Sequence, residues 1–161
     1  MIRFAKFLCL MLLSAFVFAQ EPAQKMPDFD FVNVKGGHTT QADLDKNKKT
    51  LIVFFDATCP HCQKASAFFN MHLKELSKVN VLFVTLDEQK SINMFMQQYA
   101  PLIPNATNVK ILRDTNYAFV PTFLPKRYPA IYVYDQKNQL QLYTNDDKEL
   151  EKVLQTLSDK S

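Results

Sequence analysis

Glycine occurs only twice in the 161 residues, as Gly36-Gly37, and tryptophan not at all. With so little glycine, neither a dinucleotide-binding Gly-x-Gly-x-x-Gly turn nor a nucleotide-triphosphate loop can be written, which excludes most NAD- and ATP-dependent chemistry. No charge of one sign dominates, since 19 Lys and Arg stand against 16 Asp and Glu. Apolar residues make up 47% of the chain and charged residues 22%. That balance belongs to an ordinary globular protein and excludes disorder, collagen, coiled coil and a polytopic membrane architecture. The length suits one domain with a sizeable core.

What is present begins with a leader. Arg3 and Lys6 form a short basic region, Phe7 to Phe18 is almost unbroken apolar sequence, and Val17-Phe18-Ala19 offers small-residue cleavage before Gln20. The apolar stretch falls short of the roughly 20 residues of a membrane span. Residues 1–19 therefore read as a secretory signal, with an uncleaved N-terminal anchor as the alternative, and either places the domain outside the cytoplasm. Removing Arg3 and Lys6 leaves 17 basic against 16 acidic side chains. So balanced a domain has no long-range field to attract nucleic acid or anionic lipid. Cys9 leaves with the leader, and Phe7-Leu8 ahead of it do not suit lipid attachment. Two cysteines remain, Cys59 and Cys62, in an oxidising compartment.

Residues 20–28 are a polar, proline-punctuated lead-in, and residues 29–161 form the domain. Residues 29–34 alternate as a short strand before the Gly36-Gly37 turn, and Thr40 is placed to cap a short helix running to Leu44. Residues 50–55 are continuously apolar, the pattern of a strand buried on both faces. After the cysteines, Ala65, Phe69, Leu73 and Leu76 share one helical face. Strands are expected at 79–86, 109–112, 131–134 and 139–143, with a helix over 91–99 and irregular or weakly helical chain over 114–128. Asp146 or Asp147 is expected to cap a last helix whose apolar face carries Leu150, Val153, Leu154 and Leu157. Early parallel crossovers and a late hairpin imply an α/β fold, a mixed central sheet with helices on both faces.

Cys59-Pro60-His61-Cys62 lies where the buried strand gives way to the amphipathic helix. Three residues along a helix rise about 4.5 Å, within the Cα separation that a disulfide tolerates. The two sulfurs are not equivalent. Cys59 stands at the helix N-terminus, where unpaired N–H groups and the macrodipole favour a thiolate, whereas Cys62 lies one turn in, on the apolar face. An exposed attacker and a shielded resolving thiol are what thiol–disulfide exchange requires. Pro60 suits the first helical turn. His61, when protonated, favours the Cys59 thiolate and so the reduced form, which predicts an oxidising pair. A metal is not expected: besides the two cysteines only His38, His61 and His72 are available, and four ligands are usual for zinc. A purely structural bridge would close too small a loop to stabilise much.

These residues resemble the thioredoxin superfamily, and within it the secreted redoxin and TlpA/ResA-like branch, over about residues 26–158. The likeness rests on Met26-Pro27-Asp28-Phe29, on Leu51 to Phe55, on Phe55-Asp56-Ala57-Thr58-Cys59-Pro60-His61-Cys62, and on Tyr128-Pro129 leading Ala130 to Asp135. It implies a thioredoxin-like fold and a thiol–disulfide oxidoreductase. It also implies a cis proline at Pro129 facing the cysteines, with Tyr128 offering its backbone to a substrate peptide. Val120-Pro121-Thr122 resembles the same motif, but a strand, a turn and another strand follow Pro129 directly. Thr58 stands where the family carries tryptophan. The position where relatives hold a buried acid is Val53 here, leaving Asp56 either to handle the proton of Cys62 or merely to solvate its loop. A second cysteine so near the first does not suit a peroxiredoxin.

The expectation is a periplasmic or secreted monomer that exchanges electrons with protein thiols and disulfides through Cys59 and Cys62. His61, Pro60 and Asp56 would tune the pair, and Tyr128 and Pro129 would bind substrate. No cofactor, metal or nucleic acid is implied, while a membrane redox partner is. A thioredoxin-fold binding module or chaperone with a static bridge is the alternative.

Overall fold

The computed structural model describes residues 21–159. The expected leader, its cleavage site and Cys9 lie outside these residues. Among the described residues no helix is long and apolar enough to cross a membrane.

The elements follow in the order β1 (Asp30–Asn33), β2 (His38–Thr40), β3 (Thr50–Phe54), α1 (Pro60–Met71), α2 (Leu73–Leu76), β4 (Asn80–Thr85), α3 (Gln89–Tyr99), β5 (Val109–Arg113), α4 (Phe119–Phe123), β6 (Ala130–Tyr134), β7 (Leu140–Thr144) and α5 (Leu150–Ser158). The strands form one sheet in the order β2-β1-β5-β4-β3-β6-β7. The central β3, β4 and β5 are parallel, joined by helical crossovers, and the outer strands pair antiparallel. This is the mixed sheet anticipated from the alternation of elements.

Successive side chains of a strand point to opposite faces, and β3 shows what each face meets. Leu51 and Val53, with Phe55 beyond the strand, pack among Cys62, Ala65, Phe69, Ile92, Phe95, Leu150 and Val153, so α1, α3 and α5 cover that side. Ile52 and Phe54 pack among Phe119, Phe123, Tyr132, Phe31, Phe29 and Met26 on the other. That second face carries one short helix, α4, and is otherwise closed by aromatic rings, with Phe119 stacked on Phe54 at 4.1 Å and on Phe123 at 4.2 Å.

Several local expectations need correction. The strand expected over 29–34 forms as Asp30–Asn33 before the glycine turn, but Gly36 (φ +105°) and Gly37 (φ +75°) lead into a further strand, β2, that the sequence pattern does not show. The helix expected after Thr40 shrinks to a single 3₁₀ turn, Gln41–Asp43, where Thr40 donates its N–H and hydroxyl to Asp43 at 2.7 and 2.8 Å. The lead-in is tied down: Met26 is buried, its N–H donates to Asn138 O, and Leu140 N–H donates to Gln24 O, both at 2.8 Å. Glu149, not Asp146 or Asp147, occupies the N-cap of α5, and Leu154 is only partly buried there.

The loop after β5 is shaped by one buried carboxylate. Asp114 accepts the N–H groups of Asn116, Ala118 and Phe119 at 3.2, 3.1 and 2.7 Å, which starts α4 beneath Phe54. Asp114→Ala leaves those donors without their acceptor and is expected to lower the unfolding free energy by about 1–3 kcal/mol, read from urea denaturation. A change under about 0.5 kcal/mol would mean that water replaces the carboxylate without cost.

Candidate active site

Where β3 ends, Phe55 N–H still pairs with Val84 O at 2.9 Å and the chain then breaks into a short loop. Asp56 closes it: its carboxylate accepts the N–H and the hydroxyl of Thr58 at 2.7 and 2.6 Å, and its carbonyl accepts Cys59 N–H at 3.2 Å. Asp87, just past β4, accepts Ala57 N–H and the Thr85 hydroxyl, each at 2.8 Å, and so fastens the loop to the neighbouring strand. Cys59 thereby becomes the N-cap of α1, in extended conformation, with Pro60 as the first helical residue. The first helical bond runs from Gln63 N–H to Cys59 O at 3.1 Å.

The two thiols are free and differ as the helical position predicts. Cys59 is partly exposed, while Cys62 is wholly buried in the core formed with β3 and α3. Burial pushes the Cys62 thiol far up, opposed in part by the backbone N–H of Asp56 and reinforced by the neighbouring Cys59. Cys62 is therefore a neutral thiol at physiological pH.

Tyr128–Pro129 is the cis X–Pro bond among the described residues, whereas Pro121 lies inside α4. Because Ala130 pairs with Phe54 across the sheet, Pro129 falls beside the point where the chain leaves β3 for the cysteines. The Tyr128 ring lies on Phe54 at 4.9 Å, and its phenol is pushed up to about 12 by burial and by the charges of Asp56 and Asp87. The cis bond thus falls at Pro129, and Tyr128 and Pro129 lie at the end of β3 from which the cysteine loop departs.

His61 is 61% exposed, yet its Nδ1 stands 3.2 Å from the Asp147 carboxylate, whose side chain is only 10% exposed. Lys64 Nζ approaches the same oxygen at 3.6 Å. Burial works against the charge of Asp147, but His61 and Lys64 outweigh it and hold this carboxyl below the usual range. Sequence reasoning placed Asp147 at a helix cap and missed this contact. The available signal was the run Asp146-Asp147, which holds more acid than one cap needs. His72 ends α1 instead of joining the site, its Nδ1 3.0 Å from Phe68 O and its ring stacked on Phe68 at 4.2 Å.

Residues 22–143 match the sequence profile of the AhpC/TSA family. The chain belongs to the AhpC/TSA family. No curated protein sequence matches it. Among solved structures, it resembles the peroxidoxin BcpB of Mycobacterium tuberculosis at 16% identity and a TM-score of 0.70, over 88% of this chain and 99% of that one. It also resembles a secreted M. tuberculosis disulfide oxidoreductase homologous to E. coli DsbE, at 17% identity and a TM-score of 0.65, over 80% and 96% of the two chains. The thioredoxin domain of a thiol–disulfide oxidoreductase from Bacteroides vulgatus matches at 15% identity and a TM-score of 0.66, over 87% and 100%. The fold is thioredoxin-like, and with the family it makes the protein an oxidoreductase of that class.

The unequal environments of the sulfurs have a direct readout. At pH 7–8 the reduced, folded protein is expected to take up iodoacetamide at Cys59 and at least about a hundredfold more slowly at Cys62, since each unit of upward shift removes a factor of ten in thiolate. Peptide mapping by mass spectrometry checks this. Comparable labelling of both cysteines in the folded state would contradict the burial of Cys62.

Proposed function

We propose that the protein is an extracytoplasmic thiol–disulfide oxidoreductase that exchanges electrons with protein thiols and disulfides through Cys59 and Cys62. One observation carries this reading: a partly exposed cysteine at a helix N-cap and a fully buried one a turn later, both free, beside Tyr128–Pro129.

In the reducing direction the Cys59 thiolate attacks one sulfur of a substrate disulfide, forming a mixed disulfide and releasing the other sulfur as a thiolate. Cys62 then attacks Cys59, its proton passing to the released thiolate, and the substrate's second sulfur departs. Two electrons have moved to the substrate and a Cys59–Cys62 disulfide remains. Oxidation of a substrate dithiol runs the same steps backwards. Burial makes Cys62 a poor thiolate in bulk but leaves it effective within the mixed disulfide, where proximity replaces concentration.

Pro60 starts the helix at whose N-cap Cys59 stands, His61 adds its charge to the same turn when protonated, and Asp56 sets the loop that presents the pair. Tyr128 and Pro129 line the approach and give a substrate peptide backbone groups to bond. No metal or organic cofactor enters these steps. The second half of each cycle falls to a membrane redox partner, and the domain works as a monomer. The leader-like residues 1–19 and the secreted character of one fold neighbour support a location outside the cytoplasm.

Insulin reduction with dithiothreitol and recovery of a scrambled disulfide substrate test the reading. The protein is expected to accelerate both and Cys59→Ser to abolish them, while Cys62→Ala accumulates a mixed disulfide visible on non-reducing gels. Activity that survives Cys59→Ser, or that neither protein shows, would favour a binding module. The peroxidoxin among the fold neighbours makes dithiothreitol-dependent loss of hydrogen peroxide the control. Consumption of peroxide without protein disulfide exchange would reassign the activity.

A further inference from the structure

The loop between β7 and α5 carries three acids, and the structure uses them differently. Asp146 accepts Lys148 N–H at 2.9 Å, and Glu149 accepts the hydroxyl of Thr144, so both serve their own loop. Asp147 makes no such bond. Its carboxylate crosses to the cysteine helix, where His61 and Lys64, in the first turns of α1, meet it at 3.2 and 3.6 Å. A side chain only 10% exposed is not a freely solvated surface charge. We propose that Asp147 is a positioning residue of the redox centre: it anchors the His61 ring through Nδ1 and so sets the orientation of the imidazole, two residues along α1 from Cys59.

The chemistry follows from what a carboxylate can do. Ionised, it only accepts, so the His61 nitrogen facing it must carry the hydrogen. Asp147 is held in that ionised form by His61 and Lys64 despite its burial. A carboxylate this close therefore favours the Nδ1–H tautomer of the neutral ring. Without the anchor, a ring 61% exposed would rotate among its rotamers and average its effect on a sulfur two residues away. The other carboxylates at the site are engaged elsewhere, Asp56 by Thr58 and Asp87 by Ala57 and Thr85. Asp56 bears on Cys62 and, with Asp87, on Tyr128, while Lys64, and His61 when protonated, bring positive charge against Asp147.

This inference rests on Cys59–Cys62 being a reversible redox pair, as proposed above, and its test separates the two. The full chain is equilibrated with reduced and oxidised glutathione at pH 7, as wild type, Asp147→Asn, His61→Ala and the double variant. Each equilibrium converts one protein dithiol and one glutathione disulfide into one protein disulfide and two glutathione thiols. Asp147→Asn is expected to shift the constant about three- to tenfold toward the protein disulfide, or about 15–30 mV. In the His61→Ala background the same substitution should move it less than about twofold. Equal shifts in both backgrounds, no shift with His61 present, or a shift of the opposite sign would overturn the positioning role. Wild-type protein labelled with ¹⁵N in histidine gives an independent reading that needs no variant. A neutral His61 ring protonated on Nδ1 supports the anchor, and one protonated on Nε2 overturns it. Coupling without insulin reduction keeps the positioning role and removes the proposed function, and insulin reduction without coupling does the reverse.

Discussion

The burial of β3 on both faces governs where everything reactive lies. Its five residues are enclosed between β4 and β6 and beneath helices and rings, so the strand has no exposed edge or face on which chemistry could occur. Function can appear only where the strand ends. There the parallel pairing with β4 and the antiparallel pairing with β6 both stop near Phe54, bringing the cysteine loop, Asp87 and Tyr128–Pro129 to one edge of the sheet. Full burial of a Leu or Phe side chain is worth about 1.5–3 kcal/mol, and β3 with Phe55 contributes several. The end of the strand, where the two cysteines follow, is thus held firmly.

The same burial divides the labour between the sulfurs. Phe55, Ala65 and Phe69 draw the inner face of α1 against the sheet, and Cys62, on that face, is taken out of water with them. Cys59 escapes because it precedes the first helical turn. Sequence separation is the same for any Cys-x-x-Cys pair, but only a helix packed with this rotation makes one thiol half-open and the other dry. Desolvation keeps Cys62 a shielded, neutral thiol and leaves Cys59 the more accessible of the two.

Much of this was legible before any coordinates. Leu51 to Phe55 could be read as a doubly buried strand, the Ala65-Phe69 spacing as the packed face of a helix, and Cys59 and Cys62 as unequal partners, because each depends on local periodicity and on helix termini. Pro129 was distinguished from Pro121 by the strand that follows it. The misses share a different cause. β2 carries only His38-Thr39-Thr40, too short for a periodic signal, and forms because the glycine turn delivers it alongside β1. Glu149 displaced Asp146 and Asp147 from the N-cap because long-range contacts drew Asp147 toward α1. An ion pair between residues so far apart in sequence leaves no trace in periodicity, and the most specific contact of His61 was the least readable.

The acids around the site illustrate why a nearly balanced chain can still build a directed field. After burial, Asp56 and Asp87 are the charges that raise the Tyr128 phenol, and each holds two donors, Thr58 N–H and hydroxyl on Asp56, Ala57 N–H and the Thr85 hydroxyl on Asp87. Lys64 supplies positive charge in the first turns of α1, joined by His61 when protonated, and Asp147 lies against both. Carboxylates thus lie toward Tyr128 and the Lys64 ammonium along the helix, an arrangement that needs no net charge. The absent tryptophan completes this picture. Thr58, in its place, spends its hydroxyl on Asp56 and adds no apolar wall beside Cys59. Where a large ring would contribute contact area, this site has a small hydrogen-bonded side chain, an exposed imidazole and the Tyr128–Pro129 backbone. In the proposed exchange reaction, discrimination among partners would fall to backbone geometry and to the direction of the field, since this site offers no indole surface.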